Sequence, residues 1–363
     1  MNVPKLRFSN FSNDYEIKEI ADITYNVSSG KLSKQLEDGQ YNVYGSMGVI
    51  GKSNFYDYTG EKVLVARVGA NAGSVSKINE NCCISDNTLV LEPKDILNDY
   101  LYYSLSYFNP KKLIFGSGQP LVTGTQIKKI KLSIPKKEEQ LKVAKFLSLL
   151  DKKIELQTKK IEDLKLFKKG LNKNIFSNFN VKYKVDELIK EYNKRTSKNN
   201  QFEVLSSTAN GIILQNEYFN KQAASLDNTG YKIVPFGFIT YRSMSDSGEF
   251  HFNIQNITEN GIVSPAYPVF EINEDIVDKT YFIYYINENK SFKNKILSLK
   301  EGGTRYALSM SKFKEINLDL PPLEYQKKYS KLLNTYNRKI KNEENKLNKL
   351  QELKKGLIQD MFV

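Results

Sequence analysis

The sequence predicts an α+β protein with two α+β domains separated by two long helices, which pair as an antiparallel coiled coil with pseudo-two-fold symmetry. A gapless internal repeat and strand-like alternation ahead of each repeat copy both point to this arrangement. We place the domains at residues 1–135 and 178–321, and the helices at residues 136–177 and 322–363.

The repeat has an offset of 186 residues, at which Pro135 aligns with Pro321 and no gap is needed as far as the C-terminus. The Lys-Lys-Gly-Leu stretches that begin at Lys168 and Lys354 coincide, as do Phe176 and Phe362. Chance does not give gapless agreement over about sixty residues. Because the period is about half the chain, the repeat indicates a duplication and not a solenoid.

Each copy opens with a short strand pattern, "KIKLSIP" or "EINLDLP", which its proline closes. A long helical pattern follows, with apolar residues at heptad a and d positions. A helix of about forty residues is about 60 Å long, and an exposed helix of that length needs a partner. The predicted pairing positions are Leu147, Leu150, Ile154, Gln157, Ile161, Leu164 and Leu171 in the first copy, and Leu333, Tyr336, Ile340, Glu343, Leu347, Leu350 and Leu357 in the second.

One of these positions is polar in both copies, where Gln157 and Glu343 stand near the midpoints of their helices. The midpoints of an antiparallel pair face each other, so these two residues would share one layer and fix the alignment. The alternative is that both side chains point outward where the seam is loose.

The net charge is +13, and most of it lies on the predicted helices. Residues 136–177 hold twelve lysines against six acidic residues, and residues 322–363 hold ten basic residues against five acidic ones. A basic rod suits a phosphate backbone, although it reads no sequence by itself. A solvated coiled-coil face would have the same composition.

The regions before the helices resemble each other at their first residues, "DYEIKEIADI" and "VKYKVDELIK", but their middles do not align. Strand-like runs include "YNVYG", "EKVLVARVG" and "NTLVLEP" in the first region, and "QFEVLS", "NGIILQ", "YKIVPFGFITYR" and "GIVSPAYPVFEI" in the second. A helix-like "TYFIYYINENKSF" follows these. Shared ends with different middles indicate one scaffold with two recognition surfaces.

Residues for metal or nucleophilic chemistry are scarce. Cys82 and Cys83 are adjacent and are interpreted as buried strand residues, and His251 is the only histidine. "GVIGKS" lacks a phosphate-binding loop's first glycine, because Ser46 stands there. We interpret the chain as a non-catalytic binding protein. It has neither a signal-peptide pattern nor an apolar run long enough for a membrane, so we expect it in the cytoplasm.

With its two variable regions and two matching helices, the whole chain resembles the DNA specificity subunit of type I restriction–modification enzymes. The resemblance is carried by the two Pro…Glu-x-Gln helix starts, the two Lys-Lys-Gly-Leu…Phe helix ends, and "YGSMGVIG", "ISDNTLVL" and "GIVSPAYPVF". One departure is Tyr325, which replaces the usual acidic residue before Gln326, and we expect little from that change.

The resemblance implies that each variable domain reads one half of a split, asymmetric site on double-stranded DNA, with helix length fixing the unread spacer. It also implies two modification subunits that methylate adenine with S-adenosylmethionine, and restriction subunits that use ATP and Mg. No cofactor or metal is expected in this chain itself.

Base contacts need donors and acceptors on loops, such as Arg for guanine and Asn or Gln for adenine. The predicted DNA-binding residues are Ser46, Lys52, Arg67, Asn71 and Gln119 in the first domain, and Asn210, Gln215, Arg242, Ser243, Thr304 and Arg305 in the second. Glycines beside Arg305 would let the backbone approach a phosphate closely. Each of these residues could instead be an ordinary exposed polar loop residue.

Three other classes of protein stay open at this point. One is a stand-alone architectural DNA-binding protein, and another is a coiled-coil adaptor whose domains bind proteins. The third is an enzyme that uses the incomplete phosphate loop.

Overall fold

The computed structural model describes residues 3–32, 36–114, 118–175, 181–215, 227–298 and 306–363, without the side chains of residues 173–175. Two compact units emerge from it. The first contains Met1–Lys160 and Glu343–Val363, and the second contains Ile161–Asn342. Each unit mixes helices with β-sheets, which confirms the predicted α+β class. The predicted domain limits set the long helices apart from the domains, whereas the compact units divide each helix between them.

The first unit is built on two sheets. Its strands are β1 Glu16–Glu19, β2 Thr24–Ser29, β3 Tyr41–Gly45, β4 Gly48–Ser53, β5 Glu61–Ala66, β6 Val75–Asn79, β7 Cys82–Ile84, β8 Thr88–Pro93 and β9 Lys131–Ile134. Its helices are α1 Ile20–Ile23, α2 Asn98–Phe108, α3 Gly124–Lys128 and the first part of α4 Lys137–Ile175, with a 3-10 turn at Pro110–Leu113. One sheet has the order β2-β8-β5-β6, and the other has the order β4-β3-β7.

The core of the first unit follows from runs of β-branched and aliphatic residues. Val63, Leu64 and Val65 of β5 are all buried, as expected for a strand in the middle of a sheet that is covered on both faces. Tyr100 and Leu101 of α2 are fully buried in the same core. Cys82 and Cys83 are free and buried in β7, as predicted.

The second unit holds more and shorter strands. They are β10 Val181–Lys184, β11 Ile189–Glu191, β12 Glu203–Thr208, β13 Gly211–Leu214, β14 Lys232–Pro235, β15 Ile239–Thr240, β16 Met244–Ser245, β17 Asn253–Ile254, β18 Asn260–Val263, β19 Val269–Ile272, β20 Tyr306–Ala307 and β21 Asn317–Leu320. The helices are α5 Val185–Leu188, α6 Lys279–Glu288, α7 Lys290–Ser298, α8 Met310–Lys314 and α9 Leu323–Met361, whose last part belongs to the first unit.

Two four-stranded sheets form the centre of the second unit, with the orders β11-β19-β15-β17 and β13-β12-β18-β14. The predicted run "YKIVPFGFITYR" divides into β14 and β15, which lie in different sheets. Between them, Gly237 has a φ of +83°, a left-handed conformation that ends the first strand. The core is aromatic, with the rings of Tyr241 and Phe252 4.4 Å apart and those of Phe252 and Phe313 5.0 Å apart.

Each unit also contains a two-stranded ribbon that joins its beginning to its end. β1 pairs antiparallel with β9, and β10 pairs antiparallel with β21. The sequence likeness between the two starting stretches is therefore matched by the same pairing. After the first ribbon the chain passes Pro135 and enters α4, and after the second it passes Pro321 and enters α9.

Helices α4 and α9 contain 39 residues each, about 58 Å at about 1.5 Å per residue. Within the first unit they run antiparallel, because Asp151 lies 2.5 Å from Lys354 and Gln157 contacts Glu343. All fourteen predicted pairing positions are buried or half-buried. Over the residues that the structure describes, no helix is both long enough and apolar enough to cross a membrane.

Candidate nucleic-acid interface

A glutamine fastens each long helix to its domain in the same way. Gln140 Nε2 donates to Pro135 O at 2.9 Å, and Gln140 Oε1 accepts from Leu97 N at 3.0 Å, just before α2. In the second unit, Gln326 Nε2 donates to Pro321 O at 2.8 Å and Oε1 accepts from the N-cap nitrogen of α6 at 2.9 Å. Both glutamines are buried. The duplicated Glu-x-Gln sequence therefore sets the position of one domain helix, α2 or α6, on each long helix.

A tyrosine one and a half turns into each of those domain helices makes the second fastening. The Tyr103 hydroxyl donates to Asp151 Oδ2 at 2.6 Å in the first unit, and the Tyr284 hydroxyl donates to Asn334 Oδ1 at 3.0 Å in the second. Burial and the neighbouring carboxylate raise the pKa of Tyr103, so its hydroxyl stays a donor at neutral pH. In both units, a tyrosine hydroxyl of the domain helix is therefore hydrogen-bonded to a side chain of the long helix.

The polar loops of the first domain gather along one edge. Arg67 N donates to Asn87 O at 2.9 Å, and Arg67 O accepts from Val122 N at 2.8 Å. The turn at residues 85–87 also reaches the end of β3, where Ser85 N donates to Tyr44 O at 2.8 Å. Strand ends β3, β5 and β7 and the segment at residues 118–122 therefore form a continuous rim, which we call the first rim.

The first rim brings four of the five predicted residues of this domain together. Ser46 lies in the β3–β4 turn, Arg67 follows β5, Asn71 lies in the turn after it, and Gln119 lies in the neighbouring exposed segment. The Arg67 guanidinium is oriented by a 3.4 Å contact with Asp86 O. These residue types can supply both phosphate contacts and base-edge contacts.

Lys52 lies away from the other four. It pairs with Asn42 in the β3–β4 ladder, about 13 Å from the hairpin turn at about 3.3 Å per residue. Its Nζ donates to Asn42 Oδ1 at 2.8 Å, and Asn42 Nδ2 donates to Glu80 Oε1 at 3.0 Å. The Tyr44 hydroxyl also donates to Glu80, which lowers the pKa of Glu80, while burial and this bond raise the pKa of Tyr44 to about 12. The stretch "GVIGKS" is therefore strand β4 and not a loop, and its Lys52 side chain is held by this hydrogen-bond network.

Glycine is required where the Asn71 turn closes. Gly73 has a φ of +78°, and a Cβ there would lie 2.6 Å from Lys111 N. Gly73 N donates to Ala66 O at 2.8 Å, which completes the turn. Close approach of the turn to the 3-10 segment thus positions Asn71 on the first rim.

The second domain places its predicted residues on separate loops. Asn210 is exposed in the β12–β13 turn, and Gln215 follows β13 with its Oε1 buried. Arg242 is exposed, and the adjacent Ser243 Oγ donates to Ala266 O at 2.5 Å. Thr304 and Arg305 lie outside the described residues.

The sequence reasoning missed some residues of the candidate surface. On the first rim these are Asp86 and Asn87, both exposed beside Arg67, and Met47, which is 79% exposed at the tip of the β3–β4 hairpin. Near Arg242, Tyr267 was also missed. A turn signal such as the "SDN" at residues 85–87 could have indicated the first two.

Ligands for a metal do not come together in the part of the chain that the structure describes, where His, Cys, Asp and Glu form no group of three. The described surface instead offers amides, hydroxyls and guanidinium groups on loops. Such a set binds by hydrogen bonding and charge.

Comparison with known proteins identifies the family to which this chain belongs. The family model described as "Type I restriction modification DNA specificity domain" matches residues 12–166 and 173–352. A putative type I specificity subunit of Mycoplasma pneumoniae is 32% identical over 145 residues, covering 38% of this chain and 47% of that protein. The specificity subunit of the type I restriction enzyme MjaVIII from Methanocaldococcus jannaschii is 23% identical over 337 residues, covering 82% of this chain and 77% of that protein.

Solved structures share the fold. The S subunit of a type I restriction–modification system from M. genitalium superposes with a TM-score of 0.66 at 17% identity, covering 99% of both chains. A chain from a study of complex assembly and conformational transition in the type I system has a TM-score of 0.54 at 11% identity, covering 96% of this chain and 97% of that one. The chain therefore belongs to the type I restriction–modification DNA specificity family, whose members are DNA-recognition subunits without catalytic activity of their own.

Proposed function

We propose that this chain directs a type I restriction–modification complex to a split, asymmetric site on double-stranded DNA, with each domain reading one half-site. The observation that carries the proposal is the duplication itself. Equal helix fastenings at Gln140 and Gln326 support two domains whose loops differ in sequence, length and strand pattern. Equal scaffolds with unequal loops suit a reader of two unlike half-sites.

The helix length supports a fixed spacing between the half-sites. Each long helix has 39 residues and carries most of the net positive charge. A helix of fixed length sets the separation of two reading surfaces as dimer geometry does in other DNA-binding proteins. Its lysines would contribute phosphate contacts that depend on salt and not on sequence.

Two modification subunits would need two equivalent docking surfaces, and the duplication supplies residues that are exposed at equivalent positions. We define the paired docking face as Lys145, Phe146, Lys152 and Lys153 on α4, and Lys331, Leu332, Arg338 and Lys339 on α9. Phe146 is 41% exposed and Leu332 is 36% exposed. The spacing i, i+1, i+7, i+8 places each set on one helix face, so each unit carries one copy.

In this proposal the modification subunits supply S-adenosylmethionine and transfer the methyl group to adenine, and restriction subunits supply ATP- and Mg-dependent cleavage. The specificity chain contributes position only, in the cytoplasm where the DNA is. Loop residues on the first rim and around Arg242 decide which adenines are presented.

Methylome sequencing of host cells with and without the gene tests this proposal. A split motif methylated on both strands should be present only in cells that express the chain together with its modification subunit. Exchange of residues 1–135 for those of a relative should change one half of the motif and leave the other half intact. A continuous motif, or no motif at all, would contradict the proposal.

A further inference from the structure

The two units differ at one buried ion pair beside the helix fastening. Glu139 is 2% exposed, whereas its repeat equivalent Tyr325 is 51% exposed. From the resemblance alone, little effect was expected of the change to Tyr325. Among the residues that the structure describes, Glu139 is therefore covered, whereas Tyr325 is half exposed.

The cover over Glu139 is a short segment ahead of β1. Arg7 Nε donates to Glu139 Oε1 at 2.8 Å, and Arg7 Nη2 donates to Glu139 Oε2 at 2.9 Å. Tyr15 adds a third bond, from its hydroxyl to Glu139 Oε1 at 2.8 Å. A bidentate, charge-assisted pair of this kind is strong and directional, and it compensates the cost of burying the carboxylate.

The same segment also contacts α4 one and two turns after Glu139. Phe8 packs edge-on against Phe146 with ring centroids 5.9 Å apart. Lys142 Nζ lies 4.7 Å from the centre of the Phe8 ring and donates to Asn10 Oδ1 at 2.9 Å. Glu139, Lys142 and Phe146 of α4 therefore all contact the segment ahead of β1.

The segment also holds the last turn of α9. Leu6 N donates to Asp360 O at 2.8 Å, and Phe8 packs on the core that includes Met361 and Phe362. Phe362 itself lies 5.2 Å from the ring of Tyr100 in α2. One segment thus joins the first turns of α4, the last turn of α9 and the domain core.

We propose that the segment from Leu6 to Tyr15 is a clasp, in which Arg7 and Glu139 are positioning residues that hold the end of α9 on the first domain. We assign the clasp to the first unit, because Tyr325 of the second unit has no carboxylate to accept a bidentate guanidinium pair. Resting on the proposed function, the consequence is that loosening the clasp weakens reading of one half-site and spares the other.

Hydrogen exchange of the full-length chain tests the clasp without DNA. Arg7→Ala and Glu139→Gln should speed exchange of the amides at residues 357–362 by about tenfold or more, because one charge-assisted pair is lost. Exchange in residues 323–340 should stay at the wild-type rate. Arg7→Lys, which keeps one charged bond, should give an intermediate rate. Tyr325→Phe is the matched control and should change neither region. Unchanged exchange at residues 357–362 in both variants would overturn the clasp.

Methylation of each half-site by the assembled complex tests the consequence. Arg7→Ala should reduce methylation of the adenine in one half-site by about tenfold relative to the other. Equal loss at both half-sites would overturn the positioning role. If the wild-type complex methylates no split site, the proposed function fails while the exchange experiment still decides the clasp.

Discussion

Gln157 and Glu343 are repeat equivalents that contact each other: the Gln157 amide donates to Glu343 Oε2 at 2.7 Å and to Glu343 O at 2.9 Å. In an antiparallel pair of equivalent helices, only residues at the midpoint can meet their own equivalents. The pairing is asymmetric in charge, since one partner is an amide and the other a carboxylate. Lys160 and Lys346 each lie 3.1 Å from Glu343 Oε1 and complete the layer.

The first prediction concerns the pH dependence of this layer. Hydrogen bonds from Gln157, Lys160 and Lys346 lower the pKa of Glu343 from 4.5 to about 2. A lowered folded-state pKa stabilises the fold above the unfolded value and loses that contribution as the pH falls through the folded value. Glu343→Gln should therefore be less stable than wild type at pH 7, with the gap closing between about pH 4.5 and about pH 2. Urea denaturation at several pH values measures this. A gap that stays constant across that range would contradict it.

The second prediction concerns the glutamine fastenings. Gln140→Ala leaves the Leu97 nitrogen and the Pro135 carbonyl without their partner, and should lower the free energy of unfolding by about 1–3 kcal/mol. Gln326→Ala should cost a similar amount, and the two losses should add within about 0.5 kcal/mol because the residues share no partner. Chemical denaturation of the two single variants and the double variant measures the additivity. Loss in only one of the two single variants would show that the fastenings are not equivalent.

The third prediction concerns the two leucines that anchor the helices in the domain cores. Leu147 and its repeat equivalent Leu333 are both fully buried. Each Leu→Ala change should lower the free energy of unfolding by about 2–5 kcal/mol, from lost burial and the cavity left behind. Leu149→Thr is the control, because Leu149 is 61% exposed and threonine already stands at the equivalent position 335. The unfolding temperature of that control variant should differ little from that of the wild type.

The fourth prediction concerns the predicted base contacts. Arg67→Ala and Arg242→Ala should each weaken binding to the full site by about 1–3 kcal/mol if the guanidinium pairs with guanine. Lys52→Ala should instead weaken binding to all sequences and reduce the salt slope by about one. Fluorescence titrations of the assembled complex at several salt concentrations distinguish these results. Unchanged binding would remove the residue from the interface.

The fifth prediction concerns the paired docking face. Lys145→Glu and Lys331→Glu should each remove one modification subunit, so that either single variant assembles with one copy and the double variant with none. Native mass spectrometry of the purified complex counts the copies. Glu155→Lys is the control, because Glu155 is exposed on α4 and lies about 120° around the helix from the centre of the docking face. Two copies retained in the double variant would contradict the assignment.

Much of the fold could be predicted because its signals are local. The heptad positions of α4 and α9 repeat every 3.5 residues, and "YNVYG" became β3 with the predicted limits. Helix α2 was missed because "NDYLYYSLSYF" is rich in aromatic residues, which favour strands as much as helices. The ribbon pairings were missed because "EIKE" is four residues long and exposes Ile17.

The site was harder to predict than the fold because its geometry depends on distant pairs. Arg7 and Glu139 are 132 residues apart in sequence, and nothing near either residue indicates the other. Lys52 and Ser46 were both predicted to lie on loops, but Lys52 lies on β4, and an antiparallel hairpin carries the two apart along its length. The Gln157–Glu343 layer could be predicted because symmetry places the midpoints together.

The division into compact units affects the order in which the two units can be completed during synthesis. Residues 161–342 are contiguous, so the second unit has all its parts as soon as that stretch has emerged. The first unit is synthesised earlier but waits for residues 343–363, which bring Met361 and Phe362 to its core. The second unit can therefore be completed during synthesis before the first, whose core lacks residues 343–363 until they too have been synthesised.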